Sequence, residues 1–419
     1  MTTGTLALII LTAILAQAGV AALIALRRRR RQSRELDGRG GESSAHAAAP
    51  TSMPPTSFIE AWTGFREFSV QRREFEDRSR SVCSFYLVPC DGEPLPPFRP
   101  GQFLTFRLVI EDPLKAERST VVRCYSLSDS PRSDYYRVSI KRVPAPDRPD
   151  LPHGVSSGFF HDHVRVGERL MVQAPSGHFH LVEDEPLPIV LIAGGIGITP
   201  MLSFLNTVLE RGIEREIWLY YGVRNGREHI MKEHLQMLAS RHDNFHLHVC
   251  YSAPDESDIE GTDYEHPSRV DVPLLRNTLK LARYQFYVCG PKPMMESLVP
   301  ALEQWGVNSR DIHYESFGPA TLVKREKPAR TASATPISVT FSRSGKTLSW
   351  DPSADSLLEF AEANAIEVES GCRAGSCGSC QTALSAGEVD YSQQPDADIK
   401  PGHCLLCIAT PGCDLVLEA

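Results

Sequence analysis

The sequence predicts a multidomain protein: an antiparallel β-barrel, then a doubly wound α/β unit, then a small α+β unit, all preceded by one apolar helix. Three observations carry this expectation. Short runs of alternating apolar and polar residues, broken by Pro and Gly, fill 61–183; apolar strands alternate with helical stretches over 184–320; and closely spaced cysteines stand within 336–419. At 419 residues and 42% hydrophobic content, the chain is long enough for several packed cores. A net charge of -8 supplies no basic body for nucleic acid, so no such partner is expected.

From the N-terminus, Leu6 to Leu26 is apolar apart from Thr12, Gln17 and Gly19, and as a helix it would span about 30 Å, one hydrocarbon core. Residues 5–26 are therefore expected to form a single transmembrane anchor. No Lys or Arg precedes the stretch and Arg27 to Arg31 follow it, so the positive-inside rule places the body in the cytoplasm, at the inner membrane. A cleaved signal peptide ending near Ala16-Gln17-Ala18 is the rival reading, although the basic n-region is missing. Residues 27–60 are basic, then rich in Gly, Ser, Ala and Pro without apolar periodicity, which describes a flexible tether. A reducing compartment suits the 11 cysteines as ligands and free thiols.

Within 61–183, Phe103 to Leu108 and Tyr136 to Ile140 alternate as half-buried strands do. The texture changes after residue 184. Strands are expected at Ile189 to Ala193, Ile217 to Tyr221, Phe245 to Tyr251 and Tyr284 to Cys289, with helices at Pro200 to Glu210 and Met231 to Ala239. Doubly wound sheets of this kind bind nucleotides beyond their strand ends. A polar, basic linker at 321–335 leads to the last unit.

In that unit Cys372, Cys377 and Cys380, with Cys407 farther on, have the C-x4-C-x2-C…C spacing of a plant-type 2Fe-2S cluster. Small residues between them let the backbone wrap closely and offer amides to sulfur. Cys404 competes for the fourth position. Structural zinc is the alternative, but only Cys377 and Cys380 form a short knuckle, where zinc sites usually pair two. Cys83, Cys90, Cys250 and Cys413 read as ordinary thiols.

Arg123-Cys124-Tyr125-Ser126 offers a cation for phosphate, a ring to stack on a flavin and a hydroxyl for its reactive nitrogen. Pro100-Gly101-Gln102-Phe103 precedes it. Downstream, Gly154-Val155-Ser156-Ser157-Gly158 offers amides and hydroxyls to a pyrophosphate. In Gly194-Gly195-Ile196-Gly197-Ile198-Thr199-Pro200, glycines end a strand and open a helix, where a dinucleotide phosphate can approach the backbone. Taken alone, each motif is as well explained by packing. Their order, completed by Cys289-Gly290-Pro291, resembles the ferredoxin-NADP reductase superfamily, and Phe160 to Val164 and Ala174 to Gly177 are most similar to the reductase part of flavohaemoglobins.

That resemblance implies an FAD-binding barrel, FMN being the lesser alternative, and an NAD(P)-binding lobe. It puts Cys289 by the nicotinamide, and Glu315 and Phe317 beside the flavin. The implied hydride site is Ser126, Cys289, Glu315 and Phe317. Residues implied to hold the cofactors are Arg123, Tyr125, Ser126, Gly154, Ser156, Ser157, Gly195, Gly197, Thr199, Pro200, Cys289, Gly290 and Pro291. The last unit resembles a ferredoxin domain of β-grasp type, and Leu405 to Pro411 resembles the segment that carries its last ligand, which favours Cys407 over Cys404. Arg224 and Arg227 follow the second strand of the lobe, where NADPH would need cations, yet NADH-using relatives carry similar arginines, so NADH is favoured over NADPH. Histidines 161, 163, 178 and 180 are expected to be exposed or capping rather than a metal cluster.

Nicotinamide gives up two electrons together, whereas the cluster accepts one at a time, and a flavin converts between them. The expected route is NADH, FAD, cluster and then a separate acceptor protein such as an oxygenase or desaturase. No globin-like segment precedes the barrel in these residues, so nitric oxide dioxygenation in the flavohaemoglobin manner is not expected. Two rivals are an NADH:quinone respiratory component, whose ferredoxin unit stands in the opposite order, and a redox-sensing binding module.

Overall fold

The computed structural model describes residues 61–111, 118–143, 154–182, 185–317, 337–371, 373, 375, 377–392, 395, 397 and 399–419, with 111, 118, 119 and 316 described by backbone alone. The anchor expected at 5–26, the tether, the linker 321–335 and Cys372 lie outside the described residues. Among the described residues, no helix is long and apolar enough to cross a membrane. Residues 58–419 pack as one compact unit.

Alternation of apolar residues shapes the first sheet. Strands β1 (Phe65–Phe75), β2 (Val82–Pro89), β3 (Phe103–Glu111), β4 (Arg118–Ser126), β5 (Tyr136–Lys141) and β6 (Arg169–Ser176) pair antiparallel in the order β4-β3-β6-β1-β2-β5. A bridge between Leu127 and Val138 joins the two outer strands and rolls the sheet into a barrel. Leu104, Phe106 and Leu108, two residues apart on β3, all point into its core. The helix α1 (Val155–Asp162) plugs it: the Phe160 ring lies edge-on to Phe85, Phe106 and Tyr125 at 5.2, 5.3 and 5.2 Å. Burying one such ring stabilises the fold by roughly 1.5–3 kcal/mol. His161, on the same helix, departs from expectation. It is buried rather than exposed, with its Nε2 2.9 Å from the Ile140 carbonyl, and burial lowers its pKa. His163 and His178 are exposed, as the sequence indicates.

The nucleotide lobe has five parallel strands, β7 (Ile189–Gly194), β8 (Ile217–Val223), β9 (Phe245–Tyr251), β10 (Gln285–Gly290) and β11 (Ile312–Ser316), in the order β11-β10-β7-β8-β9. Helices α2 (Ile198–Glu210), α3 (Lys232–Arg241), α4 (Val272–Thr278) and α5 (Lys292–Gln304) complete it. Every residue of β7 and β10 is buried, which explains their unbroken apolar runs. The chain leaves β7 toward β8 and β9, then returns to β10 on the other side. A crevice opens where that direction switches, at the carboxyl ends of β7 and β10.

Asp129, in the turn after β4, fastens the barrel to this lobe. Its backbone carbonyl accepts a 2.8 Å hydrogen bond from Ser203 on α2, and its carboxylate accepts 2.8 Å bonds from Asn206 and from Tyr135. Burial alone would raise the Asp129 pKa, but Arg137, Tyr135, Asn206 and Arg132 outweigh it and hold the carboxyl below its usual range. Ser130 and Arg132 both reach Glu210 at the far end of α2, at 2.6 and 2.5 Å. A second seam joins the Met231 amide to the Glu76 carbonyl at 2.8 Å.

The last unit comprises β12 (Ser338–Phe341), β13 (Lys346–Ser349), α6 (Leu357–Ala363), β14 (Gln381–Ala386), β15 (Val389–Tyr391), β16 (His403–Leu405), β17 (Ala409–Pro411) and β18 (Leu415–Leu417). Its main sheet runs β13-β12-β18-β14-β16, with β12 and β18 parallel at its centre. Ser356 caps α6 by accepting from the Glu359 amide at 3.2 Å, while Glu359 accepts from the Asp355 amide at 2.8 Å. That cap directs Leu357, Leu358, Phe360 and Ala361 into the core, so the helix packs on the sheet in the β-grasp manner.

Candidate functional site

Parallel register brings two of the sequence-selected residues together. Cys289 on β10 pairs with Glu315 on β11, and on its other side with Ala193 of β7. Ser126, at the end of β4, comes from the barrel and lies near enough to Glu315 for its hydroxyl to pull down that carboxyl's pKa. Three residues spread over 190 positions of sequence thus meet at the mouth of the crevice. Burial pushes the Glu315 carboxyl up to about 8 against the opposing pull of the Ser126 hydroxyl, so it is mostly protonated at neutral pH. Its Oε2 is buried and has no partner among the described residues. Burial also drives the Cys289 thiol well above its ordinary value, and Glu315 adds to the effect. This cysteine is a neutral thiol, not a thiolate nucleophile. Phe317, just past β11, is 36% exposed.

On β4 the residues divide by face. Tyr125 pairs with Leu104 and lies against Phe106 and Phe160, whereas Ser126 turns to the opposite face and pairs with Phe103. Arg123 is exposed, and its guanidinium donates to the Val122 carbonyl at 2.7 Å. Farther on, Gly154 precedes the first turn of α1. Ser157 is engaged locally, donating to the Gly154 carbonyl and accepting from the Val143 amide, each at 3.1 Å. Ser156 differs: its Oγ is buried and without a partner among the described residues. An unpaired hydroxyl in the first turn of a helix fits an anion such as a pyrophosphate.

The two glycines singled out after β7 have different tasks. Gly195 has φ +53° with open space where a side chain would stand, which suits close approach of a phosphate. Gly197 is packed: a side chain there would collide with the Cys289 carbonyl and, at 2.8 Å, with the Gly290 amide, so this glycine seats α2 against the end of β10. Thr199 and Pro200 are buried in the first turn of α2, where the Thr199 hydroxyl donates to the Ile196 carbonyl at 3.1 Å. Both shape the loop from behind. Pro291 opens α5 directly after Gly290.

In the last unit Cys380 and Cys407 are both buried, close enough for Cys407 to influence the Cys380 thiol. The Cys377 thiol donates to Ser379 at 3.3 Å, and among the described residues no three Cys, His, Asp or Glu side chains are gathered into a metal-holding group. Thiolate donors of this kind fit an iron-sulfur cluster. Cys404 lies on β16 and is wholly buried in the apolar core, and burial pushes its thiol up to about 12. Replacing Cys404 by Val should therefore preserve the visible absorbance of the cluster, whereas Cys407→Val should abolish it. Retention of iron by the second protein would refute this ligand set.

Sequence reading missed Asp129. The signal was an acid between two serines directly after a strand, but nothing local names Asn206 as its partner.

Comparison with known proteins agrees with this geometry. Residues 191–299 match the family described as oxidoreductase NAD-binding domain, and residues 339–412 the 2Fe-2S iron-sulfur cluster binding domain. The flavohemoprotein of Halalkalibacterium halodurans is 39% identical over 259 residues, 62% of this chain and 61% of its own. That of Chromobacterium violaceum is 39% identical over 264 residues, 63% of each chain. The chain thus spans about three-fifths of the length of these relatives. Among solved structures, phthalate dioxygenase reductase, described as a modular structure for electron transfer from pyridine nucleotides to 2Fe-2S, aligns with a TM-score of 0.52 at 28% identity. It covers 85% of this chain and 98% of its own. The flavohem-like FAD/NAD-binding domain of nitric oxide dioxygenase from Vibrio cholerae aligns with a TM-score of 0.52 at 29% identity, over 61% of this chain and all of its own. The chain is an oxidoreductase that carries an NAD-binding domain like that of ferredoxin-NADP reductases, an FAD-binding reductase fold and a C-terminal 2Fe-2S ferredoxin domain, its reductase module being similar to that of flavohaemoproteins.

Proposed function

We propose that this protein is a membrane-anchored reductase that passes electrons from NADH through FAD and a 2Fe-2S cluster to a separate acceptor protein, such as an oxygenase or a desaturase. The observation that carries this reading is the meeting of Ser126, Cys289 and Glu315 where the barrel faces the nucleotide lobe, in one compact unit with the cluster cysteines. When bound, the flavin accepts a hydride from the nicotinamide and returns its electrons singly to the cluster. Ser126 and the protonated Glu315 would hold a hydrogen-bond donor and a proton toward the reacting edge of a bound flavin. With the cofactors bound, Tyr125 and Phe317 would flank the flavin, Arg123 and Ser156 would take its phosphates, and Cys289 would fill the nicotinamide side of the crevice. Gly195 lets the NADH pyrophosphate approach the start of α2.

Coenzyme choice follows from charge. Arg227, which would have to meet a 2'-phosphate, is paired with Asp255 at 2.9 Å, and the Gly226 amide donates to Asp258 at 3.1 Å. This acidic surround favours a free ribose hydroxyl, hence NADH. The oxygenase class of acceptor is supported by the likeness to phthalate dioxygenase reductase. Anchoring at the cytoplasmic membrane is supported by the apolar run from Leu6 to Leu26 and the arginines after it.

Washed membranes holding the full chain, kept without oxygen, should lose flavin absorbance and gain a reduced 2Fe-2S paramagnetic signal on addition of NADH. NADPH should act at least about tenfold more slowly. Removing residues 1–60 should move this activity into the soluble fraction. A cluster that NADH never reduces would defeat the electron route, and an activity already soluble in the full chain would defeat the anchor.

A further inference from the structure

We propose that Val122 is the positioning residue on which the cluster loop docks against the barrel, fixing the separation between flavin and cluster. This inference rests on the electron route proposed above and adds the contact that makes it short.

Strand β4 forms an edge of the barrel sheet, and along it Val122, Cys124 and Ser126 share one face while Arg123 and Tyr125 share the other. Val122 stands opposite Arg107 of β3, away from the barrel core, yet it is only 7% exposed. A valine on the outer face of an edge strand is normally wet, so something else covers it. Gly371 supplies that cover. A side chain built at Gly371 would stand 3.2 Å from the Val122 side chain, and also 2.8 Å from the Cys377 sulfur and 3.0 Å from the Ser379 hydroxyl. The glycine therefore sits between the cysteine loop and the strand, and its lack of a side chain allows both contacts at once.

The consequence is geometric. Val122 and Ser126 are four residues apart on one strand, about 13 Å at the usual rise. A single rigid element thus bears the flavin-side hydroxyl at one point and the docked loop at another. Stretching or tilting the ferredoxin domain away from Val122 would lengthen the electron path without touching either cofactor site. The step itself moves one electron from the flavin reduced by NADH to the oxidised cluster, and no bond forms or breaks at Val122 or Gly371.

Val122→Arg places a long charged side chain into this contact, Val122→Ser removes its apolar surface, and Val122→Ile keeps it. In rapid-mixing experiments on the full chain, the arginine variant should reduce its flavin with NADH at the wild-type rate but reduce its cluster at least about tenfold more slowly. The serine variant should fall between, and the isoleucine variant should match the wild type. Hydrogen exchange supplies a readout independent of turnover: amides at 120–124 and 368–371 should exchange faster in the arginine and serine variants, with flavin and cluster absorbance unchanged. Wild-type cluster reduction and unchanged exchange in both variants would overturn the docking role and leave the electron route standing. A wild-type cluster that NADH does not reduce would instead overturn the route, with docking still reported by exchange.

Discussion

Cys377→Ser should lower NADH-dependent reduction of cytochrome c by about a hundredfold or more, while reduction of ferricyanide at the flavin stays within about twofold. The separation follows from the fold. Cys377 belongs to a β-grasp unit whose core, formed by Val339, Phe341, Leu357, Phe360 and Leu417, is built without any residue of the barrel or the nucleotide lobe. Losing one thiolate removes the cluster as a carrier but leaves the crevice of Ser126, Cys289 and Glu315 in place. A one-electron acceptor that requires the cluster then loses its donor, whereas ferricyanide still reaches the flavin directly. Stopped assays with both acceptors on the same preparation decide the matter. Equal loss of both activities would mean that the two carriers do not act in series.

Glu315→Ala should slow flavin reduction by NADH by about a hundredfold, in the range expected for loss of a positioned acid or base. The gentler Glu315→Gln is more informative because it keeps the shape and a hydrogen-bond donor for Ser126. Burial places the Glu315 pKa at about 8 against an ordinary 4.5. In the wild type the carboxyl is neutral below that value, so the single-turnover rate should be level up to about pH 7 and fall as the pH rises through 8. The glutamine variant cannot titrate and should show no such fall. Stability carries the same signature. Between pH 4.5 and 8 the unfolded carboxyl is ionised while the folded one is not, so stability declines as pH rises across that window and is level above it. A wild-type rate that does not change between pH 7 and 9 would remove Glu315 from the hydride step.

Much of this architecture was legible because its information is local. Period-two alternation marks β3 and β5, unbroken apolar runs mark β7 and β10, and the cysteine spacing marks the last unit. The expected helix at Pro200 to Glu210 begins only two residues earlier, at Ile198. What remained hidden depends on pairing between distant segments. Nothing near Ser126 names Glu315 as its neighbour; the hydroxyl and carboxyl meet because the end of β4 faces the end of β11. Gly197, expected at the phosphate, also makes a packing contact that its local sequence does not show, since the strand beside it decides what its missing side chain would meet. His161 was misjudged for a similar reason: the helix that carries it turns inward to plug the barrel, so the ring is swallowed with Phe160.

The Asp129 joint sets a limit on the conditions in which the crevice keeps its shape. The two lobes on either side are held internally by apolar packing, which is indifferent to protons, and the seam between them adds an ionised carboxylate to such packing and to a backbone bond. Because its partners hold that carboxyl below the unfolded value of 3.8, its contribution is complete above that value and disappears as the pH falls through the native pKa. Acidification therefore weakens this one fastening, while the Met231–Glu76 backbone bond and the packing of Phe179 on Phe204 across the same seam carry no proton dependence.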